Sequence, residues 1–272
     1  MPNSWTAHSA ELMMRYALRT GLIGDRAPRR YLWTDAYAVC NLLGLARATG
    51  DGRFADLAVR LVHQVHRVLG RHRPDDRRRG WISGLSDEAG EAHPTCGGLR
   101  IGKPLPEHPA TGPYDVNLEW DRDGQYFHYL TMWMHALDQV TRSTGRPEFA
   151  EWATELAIVA RRAFVKGPPG HTHMAWKLSI DLSRPLVAST GQHDPLDGFV
   201  ACAQLELTEE SHVGGPSPSL VAATEDFARL IDRDALTTSD PLGLGGLLFD
   251  ACRLTQLDRQ DDSLIAASLA AA

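Results

Sequence analysis

Apolar positions recur at helical spacing through most of the chain, and one stretch of that pattern occurs twice. Residues 48–69, ATGDGRFADLAVRLVHQVHRVL, align with residues 143–164, STGRPEFAEWATELAIVARRAF, when Gly50 is set over Gly145, an offset of 95 residues. Thr49/Thr144, Phe54/Phe149, Ala55/Ala150, Ala58/Ala153, Leu61/Leu156 and Arg67/Arg162 are then identical. Self-similarity at a fixed offset marks repeat architecture. The offset is too long for a simple solenoid unit, so a long insertion is expected between two equivalent helical hairpins.

The two helices of each hairpin differ in pattern. In the second helix of the first copy, Phe54, Leu57, Ala58, Leu61, Val62, Val65, Val68 and Leu69 fall on one face, as in a half-exposed amphipathic helix. On the polar remainder, His63 and His66 are read as surface residues. The first helices, about 35–48 and 126–140, are apolar nearly all round, which requires burial on every side. One buried and one half-exposed helix per hairpin predicts an inner layer of helices wrapped by an outer one. Gly50 and Gly145 stand where a helix C-cap glycine belongs.

Other segments extend the scheme. An opening helix is expected over about 9–20. A β-hairpin arm is expected over about 174–188, where Met174, Trp176, Leu178, Ile180 and Leu182 alternate with more polar neighbours. Asp194-Pro195 reads as an N-cap followed by proline at the first helical position, opening an inner helix to about Leu207. Residues 219–232 read as its outer partner, residues 242–257 as a further inner helix, and the Ala-rich tail from Ser263 as the start of that helix's partner. The fold class predicted is all-α: an (α/α)n toroid of the (α/α)6 type with about four hairpins in place of six. It would form a single domain over 1–272, with a long loop insertion at about 71–122.

Composition narrows the functional classes. A net charge of -6 and pI of about 6.0 lack the basic footprint of nucleic-acid binders. No apolar run approaches the roughly 20 residues needed to span a bilayer, and residues 1–20 lack a signal-peptide core. The cysteines, Cys40, Cys96, Cys202 and Cys252, are scattered without a CxxC pair, which fits a reduced, cytoplasmic protein. No G-x-G-x-x-G, P-loop or G-x-S-x-G motif is present. No cofactor is expected.

The chemistry-bearing residues concentrate where the insertion meets a buried helix: Glu119, Trp120, Asp121, Arg122, Asp123, Tyr126 and His128. Carboxylates can transfer protons to a glycosidic bond, and flat aromatics stack on sugar rings. Asp123 reads equally as an N-cap. Asp121-x-Asp123-Gly124 resembles the start of a calcium loop, but the twelfth position is Met132, where a bidentate Glu is required. Further carboxylate candidates are Asp35, at the start of an inner helix, where it also suits the helix dipole; Asp87, beside Glu88 and near His93; and Asp194, with His193 and Asp197 alongside. Trp33, Trp81, Trp120, Tyr126, Trp176 and His193 are candidate substrate-binding residues. His171 and His173 form an H-x-H pair without a third ligand at zinc-site spacing, so no metal site is expected.

The run Asp35-Ala36-Tyr37 through Leu45-Ala46-Arg47-Ala48-Thr49-Gly50-Asp51, followed by Arg53-Phe54-Ala55, resembles hairpins of the six-hairpin glycosidase superfamily, which includes the N-acylglucosamine 2-epimerase-like enzymes. The resemblance covers about Trp33 to Leu257 by architecture and matches no single family's catalytic set. It implies an enzyme acting on a small sugar or oligosaccharide. In a glycoside hydrolase-like reading, Glu119 or Asp123 is the acid, with Asp35, Asp87 or Asp194 as second carboxylate. In an epimerase reading, His128 and His193 are acid and base. A non-catalytic scaffold or sugar-binding module, with a partner chain or oligomer at an open edge, is the third reading.

Overall fold

A computed structural model describes residues 4–111, 113–168, 172–257 and 262–272. The first hairpin joins α2 (Leu32–Thr49) to α3 (Arg53–Leu69), preceded by α1 (Ser4–Arg19). After the short helices α4 (Asp87–Ala92) and α5 (Val116–Glu119), the second joins α6 (Phe127–Thr144) to α7 (Glu148–Phe164). The third joins α8 (Asp194–His212) to α9 (Pro218–Leu230), and the fourth joins α10 (Pro241–Leu254) to α11 (Asp262–Ala271). The inner helices pack side by side in the order α2, α6, α8, α10, each with its outer partner against it. This is the toroid-type arrangement predicted, with four hairpins among the described residues.

The repeat is reproduced in atomic detail. Gly50 and Gly145 both take φ of 71°, in the left-handed region, and their N–H groups close on Ala46 O and Thr141 O. Thr49 and Thr144 each donate a 2.7 Å hydrogen bond one turn back. On α3 and α7, Phe54, Ala58 and Leu61 match Phe149, Ala153 and Leu156, all buried. A main core runs from α1 to α9, and a smaller one joins α8 to α10 and α11. Helix α8 serves both, through Ala201, Cys202 and Leu205 on one side and Leu196, Val200 and Ala203 on the other. That double duty is why it is buried on more than one face, polar residues such as Gln204 and Glu209 included.

Three expectations change. His66 is buried: its Nε2 accepts a 3.0 Å bond from Trp133 Nε1, and burial pushes its imidazole down to about 3. It falls between Val62 and Leu69 on the apolar stripe, so its face, not its polarity, decides its place. The 174–188 segment pairs mainly outward. Strand β3 (His173–Met174) pairs with β2 (Val165–Lys166), and β4 (Lys177–Leu178) with β1 (Gln125–Tyr126); only the Leu178–Pro185 bridge folds it back on itself. Asp194 does not cap α8. It is the first helical residue, with His193 in the N-cap position.

The insertion is ordered by buried charge. Asp123 is fully buried and accepts from Arg100 Nη1 at 2.5 Å, Arg73 Nη1 at 3.2 Å, Gly102 N at 2.9 Å and Gly124 N at 3.1 Å. Glu119 accepts from Lys177 Nζ at 2.8 Å, and that ammonium also bonds the carbonyls of Glu119 and Arg122. Trp81 is buried under the Arg71 guanidinium, 4.6 Å above its ring, with Gly90 against its indole. The loop is thus folded upon itself as a wall beside the inner helices.

Candidate active site

Helices joined as repeated hairpins run alternately up and down, so all the inner helices start at the same end of the molecule. A cavity of about 650 Å³ sits there, lined by Trp33 and Tyr37 of α2, His128, Tyr129 and Met132 of α6, Asp194 and Asp197 of α8, and Phe249, Asp250 and Arg253 of α10. The loop 189–193 and residues Lys103, Trp120, Tyr126 and Trp176 complete it. Helix N-termini carry partial positive charge and favour acids in the first turn, which suits Asp194 and Asp197 there.

One wall is aromatic. Trp33 and Tyr129 lie 5.0 Å apart between centroids, Tyr126 and Trp176 5.2 Å, and Trp120 stands edge-on to Trp176 at 5.8 Å. His128 packs among Trp33, Tyr126, Tyr129 and Trp176, and burial pushes its imidazole down to about 4, so the ring is neutral at neutral pH. Tyr129 is fixed by a 2.5 Å bond to the Tyr31 hydroxyl.

The opposite wall is charged. Asp194 is buried, its Oδ2 has no protein partner, and burial pushes its carboxyl up to about 8. Asp197 lies against Asp250. Burial, then the charges of Asp250 and Asp194, hold its carboxyl well above the usual range. Arg253 donates to Asp250 Oδ1 at 3.1 Å and to Gln204 Oε1 at 2.8 Å, and its guanidinium lies over the Phe249 ring at 5.2 Å. His193 Nε2 is 2.7 Å from Leu236 O. A carbonyl only accepts, so Nε2 carries the proton and Nδ1 keeps a lone pair in the neutral ring.

Of the residues singled out from sequence, Trp33, Trp120, Tyr126, His128, Trp176, His193 and Asp194 line this cavity. Asp197, noted beside Asp194, lines it too, and the others lie outside it. Asp35 is buried under the Arg30 guanidinium and accepts from Tyr31 N at 2.9 Å and from the Tyr16 hydroxyl. Glu119 and Asp123 are occupied by the loop's cations as described. Asp87 is exposed and pairs with Arg71 at 2.9 Å. Trp81 anchors the loop. His171 lies outside the described residues. Asp250, Arg253, Phe249 and Lys103 were not foreseen; the first two are charges three residues apart inside an apolar run, a signal that was available.

Fold and cavity together define a ring of inner helices with an aromatic and acidic mouth, an (α/α)-toroid architecture. Among solved structures the chain is similar to cellobiose 2-epimerase from Spirochaeta thermophila, with a TM-score of 0.54 at 16% identity. The match covers 90% of this chain and 58% of that one. No protein-family profile matches the chain, and neither does any curated protein. Among the described residues no helix is long and apolar enough to cross a membrane.

Proposed function

We propose that this chain is a carbohydrate-active enzyme that epimerises or isomerises a reducing sugar, with His128 and His193 as the proton-transfer pair. The observation that carries this reading is that both imidazoles line one cavity beside a wall of aromatic faces. In the open-chain aldose the proton on C2 is acidified by the neighbouring carbonyl. A neutral imidazole takes that proton, and the C–H electron pair becomes an enediolate with charge on the former carbonyl oxygen. Return of a proton to the opposite face of C2 gives the epimer; delivery to C1 gives the ketose. General acid–base groups of this kind contribute about 10²–10⁴-fold. Asp194, held protonated by burial, and Arg253 are donors for the developing charge.

Hydrolysis needs two carboxyls set apart across the glycosidic bond, and one pair in the cavity lacks that spacing. Asp197 and Asp250 are a contact pair, nearer than the roughly 5 Å that separates even the closer-set carboxyls of a retaining glycosidase. The solved neighbour is named for cellobiose, which makes cellobiose the first sugar to test. Incubation with a panel of reducing mono- and disaccharides in D2O, followed by proton NMR, should show loss of the C2 proton signal and growth of an epimer or ketose. His128→Gln and His193→Gln should each slow exchange at least a hundredfold while the protein stays folded. Release of monosaccharides without C2 exchange would instead establish a hydrolase. Sugar binding with neither reaction would establish a binding module.

A further inference from the structure

Away from the cavity, the insertion meets α7 at a cluster the reaction does not use. His93, Cys96 and Glu155 each turn one ligand atom toward the others, and all three atoms lie within 4.8 Å of one another. His93 and Cys96 occupy one turn that ends α4, where Cys96 N bonds to His93 O at 3.3 Å. Glu155 comes from the middle of α7 and is already in contact with His93 Nδ1 through Oε1. We propose that His93, Cys96 and Glu155 form a zinc-binding site, with water as the fourth ligand, that staples the insertion to the outer helix of the second hairpin.

The donor set is the first argument. Imidazole nitrogen, thiolate sulfur and carboxylate oxygen are the zinc ligand types, and three protein ligands with one open position is a common arrangement. Zinc–ligand distances of about 2.0–2.3 Å place tetrahedral ligand atoms roughly 3.3–3.8 Å apart. A triangle within 4.8 Å is therefore within about 1–1.5 Å of that spacing.

The second argument is the support around the cluster. Thr95 Oγ1 shares its one proton between Glu155 Oε2 at 3.0 Å, leaving Oε1 turned to the cluster, and Trp152 O at 2.8 Å. Trp152 Nε1 donates to Ala92 O at 2.8 Å. Hydrogen bonds that orient a ligating carboxylate are the usual companions of a metal site, and these also dock the turn on α7 before any ion arrives. His93 keeps 55% of its side-chain surface in solvent, which leaves an approach for the ion and for water. Cys96 is half-buried and free.

The test uses the full chain, stripped with chelator and kept reduced. Calorimetric titration with Zn²⁺ should show one equivalent bound. Titration with Co²⁺ should produce a thiolate-to-cobalt absorption band. Cys96→Ser should abolish that band, and His93→Gln and Glu155→Gln should each weaken zinc binding at least tenfold. Cys252→Ser and His173→Gln should leave both readouts unchanged. Circular dichroism of each variant separates loss of a ligand from loss of the fold. No zinc binding by the wild-type chain, or equal binding by Cys96→Ser, would overturn the proposal and leave a hydrogen-bonded His–Glu pair beside a thiol.

Discussion

Replacing Asp123 by Asn leaves the shape of the side chain almost unchanged and removes one buried negative charge. The wild-type carboxylate is fully buried, with Oδ2 facing Arg100 and Arg73 and Oδ1 facing the N–H groups of Gly102 and Gly124. An amide has one acceptor oxygen. Turned toward the backbone, it aims an NH₂ at two guanidiniums; turned toward the guanidiniums, it leaves the backbone donors unmet. Removing one partner of a buried ion pair costs about 3–5 kcal/mol, and two arginines share this one, so the upper half of that range is expected. For a chain of this size each kcal/mol moves the melting point by about 2–4 °C, which gives a drop of roughly 8–20 °C. Urea and calorimetric unfolding at pH 7 measure it. A loss below about 1 kcal/mol, the range of solvent-exposed pairs, would refute the reasoning. It would mean that the charge is solvated and that the insertion is held by something else.

Three further outcomes follow from the same geometry. His66, His128 and His135 are held neutral by burial at about 3, about 4 and about 3; the unfolded chain binds more protons below about pH 6.5, so stability should fall as pH drops from about 6.5 toward 4, and His128→Gln should flatten that slope in a series of thermal melts. Asp194 runs the other way: its carboxyl, raised to about 8, is neutral in the fold and charged when unfolded, so its contribution is present below about pH 4 and lost as pH rises to 8. The melting point of Asp194→Asn relative to wild type should therefore climb over that window, and a difference independent of pH would contradict it. Trp33→Ala removes a face of the aromatic wall and should weaken sugar binding about two- to twelvefold, since ring stacking contributes about 0.5–1.5 kcal/mol; tryptophan fluorescence titration checks it.

The helices were legible because each hairpin must hide one face locally, and Phe54, Ala58 and Leu61 write that face at fixed spacing, with Gly50 ending the helix before it. The aromatic half of the cavity was legible for a related reason: Trp33, Tyr126 and His128 stand at the starts of buried helices, and inner helices of repeated hairpins start at one end. Of the carboxylates named from sequence, Asp194 and its neighbour Asp197 reach the cavity and the rest do not. Asp123 and Glu119 have the residue types of a catalytic pair, but their partners, Arg73, Arg100 and Lys177, are 23 to 58 residues away along the chain, and nothing local distinguishes a neutralised acid from a free one. Asp250 shows the converse: it gains its role only when α10 is laid beside α8 and Asp197.

The helix shared by two cores gives the molecule a seam. Hairpin α10–α11 rests on α8 through Leu247 and Leu254 against Leu196 and Val200, and through the Arg253–Gln204 bond, and it reaches the main core through Phe249, whose ring meets His135 of α6 at 5.3 Å. Such a unit opens locally at lower free energy than the whole chain unfolds. Its swing would carry Phe249, Asp250 and Arg253 away from an aromatic wall that stays in place, so amide exchange in α10 should run faster than in α6. A bound sugar touching both walls would then act as a latch, slowing exchange across α10 in proportion to its affinity.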